Sequence, residues 1–291
     1  MIKIKKAVLP VAGFGTRFLP ATKAIPKEML AIIDKPLIEY AVEEAISAGA
    51  EEIIFITSHT KPAIKKHFSE APELEKKLID SGKIDLLKKI KPEIFTNIKF
   101  TYIDQAEQKG LGHAILLAEK AVGNDAFSVL LPDDLFLSTP TCLQQILNSY
   151  SKNFQSVIAV NKIDKENIHK YGVIDPGDYE LDEDNTVIVS DIVEKPDAED
   201  APSDIAVAGR YIFNTSIFDC IKKVEADGSG EIQITDAIKL LIQTENVQAK
   251  IFEGNKYDCG SKEGYLEATI AVAMKEPGFS DKIKKIITDK P

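Results

Sequence analysis

The chain has 291 residues, of which 44% are hydrophobic and 28% are charged. This composition is typical of a globular protein and excludes a wholly disordered chain, a collagen and a coiled coil. The 46 acidic residues outnumber the 36 Lys and Arg residues, giving a formal net charge of -10. Such a charge opposes nonspecific binding to nucleic acid or to an anionic membrane surface. No apolar run approaches the roughly 20 residues that a transmembrane helix needs.

Cysteine and histidine spacing gives no sign of a disulfide framework or of a transition-metal site. The three cysteines (Cys142, Cys220 and Cys259) lie far apart without a C-x-x-C motif, and the four histidines have no metal-ligand spacing. The N-terminal lysines lead directly into a strand-like run without a small-residue cleavage site, so we expect no signal peptide. These features favour a reducing compartment, and we predict a cytoplasmic protein.

Short apolar runs alternate along the chain with longer segments of helical periodicity. The predicted strands are Lys6–Val11, Glu52–Thr57, Lys99–Asp104, Phe127–Leu131, Ser156–Val160 and Ala206–Phe213. The predicted helices are Pro36–Ala48, Leu111–Ala121 and Pro140–Tyr150. This alternation predicts an α/β fold, in which a mostly parallel or mixed sheet carries helices on both faces. Ligands of such sheets bind at the carboxyl ends of the strands.

The alternation weakens near residue 162 and gives way to an acidic segment. Asp175–Ile205 contains twelve acidic residues and one lysine, so it carries a charge of -11 and the rest of the chain carries +1. Within it, Thr186–Val193 is strand-like, which predicts a β-containing insertion rather than a disordered loop. The single lysine, Lys195, follows Glu194, and considered alone this pair is typical of a surface ion pair. Farther on, Ile270–Thr288 predicts a helical tail.

The first predicted strand runs into a glycine-rich loop. Gly13 and Gly15 follow Val11 almost directly, where a missing side chain lets backbone N–H groups approach a phosphate. Phe18 stands in place of the third glycine of G-x-G-x-x-G, and no G-K-[S/T] follows. The loop therefore resembles neither a Rossmann dinucleotide site nor a Walker P-loop.

The continuation of this loop is cationic and stiffened by prolines. Residues 11–30 carry a net charge of +2, with Arg17, Lys23 and Lys27 against the single acid Glu28. Prolines within and just before the stretch restrict its backbone and disfavour one regular helix. A long cationic loop at the carboxyl end of a strand suits a triphosphate.

Aspartates at two later positions are candidate metal ligands. Pro132, Asp133 and Asp134 follow the apolar run Phe127–Leu131, where a carboxylate at the end of a strand would hold magnesium. Asp258 precedes a helix that we expect to begin near Ser261. Aspartates are also common in turns and helix caps, so each position considered alone leaves both interpretations open.

Taken together, the motifs resemble one family. Val11–Leu30, VAGFGTRFLPATKAIPKEML, closely resembles the signature of the sugar-1-phosphate nucleotidylyltransferases, and particularly of its bacterial uridylyl-transferring members. Seven more motifs follow in family order: KGLGHA (109–114), LPDD (131–134), YGVID (171–175), VEKP (193–196), AGRYIF (208–213), GEIQITDAI (230–238) and YDCG (257–260). The resemblance spans nearly the whole chain. Ala31 departs from it, since the family signature usually ends in proline there.

The resemblance implies an enzyme that joins UTP and glucose 1-phosphate to give UDP-glucose and pyrophosphate with Mg²⁺. It implies a Rossmann-like nucleotide-diphospho-sugar transferase fold with a small β-rich sugar-binding insertion. It further implies one domain over residues 1–291, with a nucleotide-binding half at about 1–160, a sugar-binding portion at about 161–260 and a C-terminal helical segment at about 261–291. We also expect a homodimer or homotetramer, and neither nucleic acid nor a membrane as partner.

The resemblance also implies roles for individual residues. Catalytic roles fall to Arg17, which faces the β- and γ-phosphates, to Lys27 at the α-phosphate, to Asp133, and to Lys195 at the phosphate of the sugar. The nucleotide loop is lined by Ala12, Gly13, Gly15 and Thr16. The edge of the uracil ring is assigned to Gln105 and Gly110. Glucose is assigned to Gly172, Glu194, Gly209 and Glu231. The Mg²⁺ ligands are Asp133 and Asp258.

Three other functions compete with this hypothesis. The nearest is a sibling enzyme that transfers a thymidylyl or cytidylyl group or uses another sugar 1-phosphate. A nucleotide-sugar glycosyltransferase shares this style of sheet, but it has no triphosphate tail for the loop of Arg17 and Lys27 to bind. A sugar-nucleotide sensor on a degenerate catalytic fold is disfavoured, because Arg17, Lys27, Asp133 and Asp258 are all present.

Overall fold

The computed structural model describes residues 3–178 and 180–288. The strands are β1 Lys6–Pro10, β2 Ala31–Ile32, β3 Lys35–Pro36, β4 Glu52–Thr57, β5 Lys99–Asp104, β6 Phe127–Leu130, β7 Asp134–Leu137, β8 Val157–Lys162, β9 Gly172–Asp175, β10 Thr186–Ile188, β11 Asp191–Glu194, β12 Ile205–Phe213, β13 Gln248–Ile251 and β14 Asn255–Asp258. The helices are α1 Leu37–Ser47, α2 Pro62–His67, α3 Pro72–Asp80, α4 Ile84–Ile90, α5 Gly110–Leu117, α6 Glu119–Val122, α7 Cys142–Asn153, α8 Ser216–Ile221, α9 Ile234–Ile242, α10 Lys262–Lys275 and α11 Ser280–Thr288.

A ten-stranded mixed sheet forms the centre of the described molecule. Its main path runs β10-β13-β8-β12-β6-β1-β4-β5, and β9 joins it beside β12 with β11 at its other edge. Strands β6, β1, β4 and β5 are parallel to their neighbours in that series. Strand β12 is antiparallel to both β6 and β8. The predicted α/β fold with a mixed sheet is therefore confirmed, and strands from both halves of the chain pair within it.

Side chains alternate between the two faces of the sheet, and each face has its own apolar core. On β1 and β4, Leu9 and Phe55 are fully buried in the core that includes helices α1 and α7. Their neighbours Val8 and Ile54 are fully buried in the opposite core, with α5, α8 and α9. Consecutive strand residues point to opposite faces, so a continuously apolar run supplies both cores. The predicted helices on both faces are confirmed.

Two predicted elements are interrupted in the structure. The run Thr186–Val193 divides into β10, antiparallel to β13, and β11, antiparallel to β9. The backbone changes partner between them, because the N–H of Val189 donates to Val247 and that of Ser190 donates to Asp175. The predicted tail Ile270–Thr288 is likewise two helices, α10 and α11, and Pro277 lies in the break between them. The tail is therefore helical as predicted, but in two segments, and the strand-like run forms two strands.

Strand pairing brings distant motifs to one end of the sheet. The loop of residues 11–30 leaves the end of β1, and Asp133 follows the neighbouring parallel strand β6. Strand β14 pairs antiparallel with β7, and this register places Asp258 opposite Asp134. In the second pairing, β9 with β11, Gly172 lies opposite Glu194.

Candidate active site

Two carboxylates predicted from separate motifs converge at Gly260. A Cβ atom at this glycine would lie 2.9 Å from Oδ1 of Asp258 and 3.2 Å from Oδ2 of Asp133. The N–H of Gly260 donates to Oδ1 of Asp258 at 2.9 Å, which orients that carboxylate. A missing side chain at Gly260 therefore leaves room for both acids to face the same small space.

Two predicted cations reach the same place. Nζ of Lys27 donates to Oδ2 of Asp133 at 2.6 Å. Nη1 of Arg17 lies 3.6 Å from the Cβ position of Gly260 and donates to the carbonyl of Gly260 at 3.4 Å. The structure thus assembles Arg17, Lys27, Asp133 and Asp258, which lie in separate motifs of the sequence.

The Lys27–Asp133 pair is charged. Burial by itself lowers the pKa of Lys27, but the carboxylates of Asp133 and Glu28 outweigh it and raise that pKa above its ordinary value. Burial likewise raises the pKa of Asp133, but the ammonium of Lys27 and its hydrogen bond hold that pKa below the ordinary range. A cation and an anion therefore stand in contact at the centre of the site.

The loop of residues 11–30 folds into three single-turn 3₁₀ helices, at Thr16–Phe18, Ala21–Lys23 and Lys27–Met29. Gly15 has φ of +66°, and a Cβ there would lie 3.0 Å from Cβ of Lys27. The hydroxyl of Thr22 donates to the carbonyl of Gly15 at 2.7 Å. Glycine is needed at position 15 because the left-handed backbone and the close approach of Lys27 both disfavour a side chain.

The other predicted loop residues lie at its start. Ala12 is buried, and its carbonyl accepts from Nε2 of Gln108 at 2.8 Å. Gly13 and Thr16 are exposed, and no heavy atom of the described residues beyond the chain neighbours lies within 4 Å of a Cβ position at Gly13. The backbone at Gly13 is therefore open to a ligand, as a phosphate-binding loop requires.

A buried ion pair that the motifs did not predict joins the two ends of this loop. Nζ of Lys61 donates to the carbonyl of Val11 at 2.6 Å and to Oε2 of Glu28 at 3.1 Å. Glu28 is 1% exposed and Lys61 8% exposed. Glu28 lies inside the signature, but nothing in the sequence indicates Lys61 as its partner.

A second group of predicted residues lies at the start of α5. Gln105 is buried, and its Nε2 donates to the carbonyl of Gly110 at 3.4 Å and to Nδ1 of His113 at 3.0 Å. Gly110 has φ of +87°, and a Cβ there would lie 2.9 Å from Cβ of Glu231. The structure therefore places Glu231, which the resemblance assigns to glucose, beside the residues assigned to the base. His113 is a neighbour that the sequence prediction missed.

A third group brings the VEKP motif against YGVID. Oε1 of Glu194 lies 2.9 Å from Nζ of Lys195, and its Oε2 accepts from the hydroxyl of Thr235 at 2.6 Å. A Cβ at Gly172 would lie 3.3 Å from Oε2 of Glu194. Lys195 has φ of +44°, and its N–H donates to the carbonyl of Tyr171 at 3.1 Å. Thr235 was missed, although it lies within the GEIQITDAI motif.

The second aspartate of LPDD is buried beneath the site. Gly209 has φ of +83°, and a Cβ there would lie 2.5 Å from Oδ2 of Asp134. Burial raises the pKa of Asp134 to about 6, although Nζ of Lys256 lies 3.2 Å from its Oδ1 and opposes this shift. The buried guanidinium of Arg210 donates to the carbonyls of Leu131 and Asp134 at 2.8 and 2.9 Å. These contacts hold the turn that carries Asp133.

A cavity of about 1160 Å³ extends from Arg17 and Asp258 of the acid–cation cluster to Lys195. Among its lining residues are Arg17, Tyr171, Lys195, Lys256 and Asp258. Of the described residues, neither Lys27 and Asp133 nor those assigned to the nucleotide loop and the uracil edge line this cavity, so it lies beside that part of the site. Its cations suit a ligand that carries phosphate.

Within residues 3–178 and 180–288, no group of three or more His, Cys, Asp or Glu side chains is arranged to hold a metal ion. In the same part of the chain, no helix has both the length and the apolar character needed to cross a membrane.

The fold and this site define a nucleotide-binding transferase, and comparison with known proteins agrees. The chain belongs to the nucleotidyl transferase family, whose model matches residues 6–275. A curated UTP–glucose-1-phosphate uridylyltransferase from Staphylococcus epidermidis is 46% identical over 288 residues, covering 99% of this chain and 98% of that protein.

Solved structures extend the similarity to the whole fold. A UTP-bound UGPase from Acinetobacter baumannii superposes with a TM-score of 0.90 at 38% identity, covering 99% of this chain and 100% of that chain. A UDP-glucose pyrophosphorylase complexed with UDP-glucose superposes with a TM-score of 0.85 at 43% identity, covering 94% and 100%. The predicted family and fold class are confirmed.

Proposed function

We propose that this chain transfers the uridylyl group of UTP to glucose 1-phosphate, forming UDP-glucose and pyrophosphate. The main support for this function is the convergence of Arg17, Lys27, Asp133 and Asp258 around Gly260, at one end of the mixed sheet. The near full-length similarity to a uridylyltransferase supports the choice of substrates.

The reaction requires two anions to approach each other. A phosphate oxygen of glucose 1-phosphate attacks the α-phosphorus of UTP in line, and pyrophosphate leaves on the opposite side. Positioning and charge neutralisation supply most of the catalysis in such transfers, so no nucleophilic side chain is needed. Lys27 is proposed to stabilise the negative charge at the α-phosphate, and Arg17 the β- and γ-phosphates of the leaving group.

The cavity supports the assignment on the sugar side. Arg17 and Lys195 both line it, together with Tyr171, whose carbonyl accepts from the N–H of Lys195. We assign Lys195 to the phosphate of the sugar, and Gly172, Glu194, Gly209 and Glu231 to glucose. We assign the nucleotide to Ala12, Gly13, Gly15 and Thr16, with Gln105 and Gly110 at the uracil edge.

The residues present fit a magnesium ion. Asp133 and Asp258 face one small space that a Cβ at Gly260 would fill, and carboxylate oxygens are the ligands that Mg²⁺ prefers. Magnesium is usually held by one or two protein carboxylates together with substrate phosphates, so a third acid is not required. When bound, Mg²⁺ would neutralise charge on the phosphates.

Three further properties belong to the same proposal. We place the enzyme in the cytoplasm, supported by three free, buried cysteines. We treat residues 1–291 as one catalytic domain, supported by strands of both halves in one sheet. We propose a homo-oligomer, supported by the exposed side chains of Leu266, Ile270 and Met274, which recur every fourth residue on α10.

One assay tests the function directly. Purified protein is given Mg²⁺, a panel of nucleoside triphosphates and a panel of sugar 1-phosphates, and pyrophosphate release is measured. We expect the highest kcat/KM with UTP and glucose 1-phosphate. A preference for dTTP or CTP would instead identify a sibling enzyme, and release with no pair would defeat the proposal.

A further inference from the structure

We propose that His113 fixes the amide orientation of Gln105 and thereby makes the site select uracil over cytosine. This inference rests on the proposed function, in which Gln105 meets the Watson–Crick edge of the base. It assigns a specificity-determining role to a residue that would not itself touch the nucleotide.

The hydrogen bonds around Gln105 determine which end of its amide faces inward. Nε2 lies 3.0 Å from Nδ1 of His113 and 3.4 Å from the carbonyl oxygen of Gly110. A carbonyl oxygen only accepts, and Nδ1 accepts when the imidazole is neutral and carries its proton on Nε2. With this tautomer both neighbours accept, so the NH₂ group faces them, with one N–H toward His113 and the other, at the longer distance, toward Gly110. Gln105 is 5% exposed, and water offers little competition for these contacts.

This orientation matters because an amide can read two pyrimidines. Uracil presents a carbonyl acceptor next to the N3–H donor, whereas cytosine presents an amino donor next to the N3 acceptor. A glutamine turned by 180° exchanges donor and acceptor, so a freely turning amide pairs with either base. An amide held by His113 keeps its Oε1 for N3–H, and its second N–H exchanges the longer 3.4 Å contact with Gly110 for the adjacent carbonyl of uracil. That pattern suits uracil and places like groups against cytosine.

The surroundings of His113 favour the neutral form that this role needs. Burial lowers the pKa of His113, and the cation of Lys109 lowers it further, while Glu107 acts in the opposite direction. Glu107 and Lys109 are themselves an ion pair, which reduces the net effect of both. His113 also lies in the first turn of α5, where the helix dipole disfavours a positive charge.

Two substitutions separate orientation from packing. His113→Leu keeps a side chain of similar bulk but removes the acceptor, whereas His113→Asn retains an acceptor near the position of Nδ1. For each folded variant, kcat and KM are measured with UTP and with CTP, and nucleotide binding is measured by calorimetry. Thermal unfolding establishes that each variant is folded.

We expect His113→Leu to reduce the UTP-to-CTP ratio of kcat/KM about tenfold, mainly through KM, because one hydrogen bond is worth up to about that factor. His113→Asn should keep most of the ratio. An unchanged ratio in folded His113→Leu, or equal losses in both variants, would overturn the inference. If the wild-type protein does not turn over UTP, only the proposed function is contradicted. Calorimetry with UTP and CTP then still tests the role of His113.

Discussion

Nζ of Lys27 lies 2.6 Å from Oδ2 of Asp133, although 106 positions separate the two residues. The pair joins the cation assigned to the α-phosphate with a carboxylate assigned to Mg²⁺. Each partner holds the other charged and in place. The contact therefore couples the nucleotide loop to the metal ligand. A substitution of either residue should alter the charge and position of the other.

Replacement of Lys27 by alanine should lower kcat by about 10²–10³, because a transition-state charge loses its partner in a poorly solvated site. Lys23→Ala, which removes an exposed lysine from the same loop, is the matched control and should leave kcat within twofold. Steady-state kinetics and thermal unfolding measure both variants. Near-normal turnover in Lys27→Ala would remove Lys27 from catalysis.

Replacement of Lys195 by alanine should mainly raise the KM for glucose 1-phosphate, by about tenfold or more, because a charge-assisted contact to phosphate is lost. Lys239→Ala breaks a comparably exposed ion pair, 2.8 Å to Asp191, outside the proposed contacts and serves as the control. Initial rates are measured while each substrate is varied in turn. An effect confined to UTP would contradict the assignment.

A methyl group at Gly260 should weaken magnesium binding, because it would contact both Asp133 and Asp258. We expect the Mg²⁺ concentration for half-maximal activity to rise about 10–100-fold, the range typical when ligand orientation is disturbed. Gly228→Ala is the control, since a Cβ at that exposed position meets no described atom within 4 Å. Equal Mg²⁺ dependence in the two variants would speak against a metal site at Gly260.

Replacement of Lys61 by methionine should lower the free energy of unfolding by about 3–5 kcal/mol, because the carboxylate of Glu28 would remain buried without its partner. The double variant Lys61→Met with Glu28→Gln should recover part of this loss. Urea unfolding measures all three proteins. A loss in the double variant equal to that of Lys61→Met would show that the ion pair is not the cause.

The stability of the protein should depend on pH through Asp134. Its pKa in the folded chain is about 6, above the ordinary value of 3.8, so the folded state binds its proton more tightly. The resulting stabilisation is present at low pH and is lost as pH rises through 6. Relative to Asp134→Asn, wild type should lose roughly 2 kcal/mol between pH 4 and 7, since each pKa unit corresponds to about 1.36 kcal/mol and part of the effect is already lost below pH 4.

Urea unfolding at four pH values, with EDTA present, measures this difference. A constant difference between wild type and Asp134→Asn across the range would mean that Asp134 titrates normally. In that case the burial of the carboxylate beneath Gly209 would be fully offset by Lys256.

Much of the fold follows from local pattern. Glu52–Thr57 and Lys99–Asp104 are predicted with the bounds that the structure has, because runs rich in Ile, Phe and Tyr between turn residues favour a β-strand. The helical tail at 270–288 and the strand-like run at 186–193 each contain a break that the local pattern does not show. Their periodicity continues across points where Pro277 ends a helix and where a strand changes its partner.

The sequence by itself determined the α/β class, the family and the residue types of the site. Short motifs contain the residues that the chemistry needs, and local periodicity indicates which residues are buried. The tertiary structure alone decided which residues meet. The pairing of β14 with β7 brings Asp258 toward Asp133, and Lys61 reaches Glu28 from another loop. Such partners depend on strand register and long-range packing, which a linear pattern of residues does not encode locally.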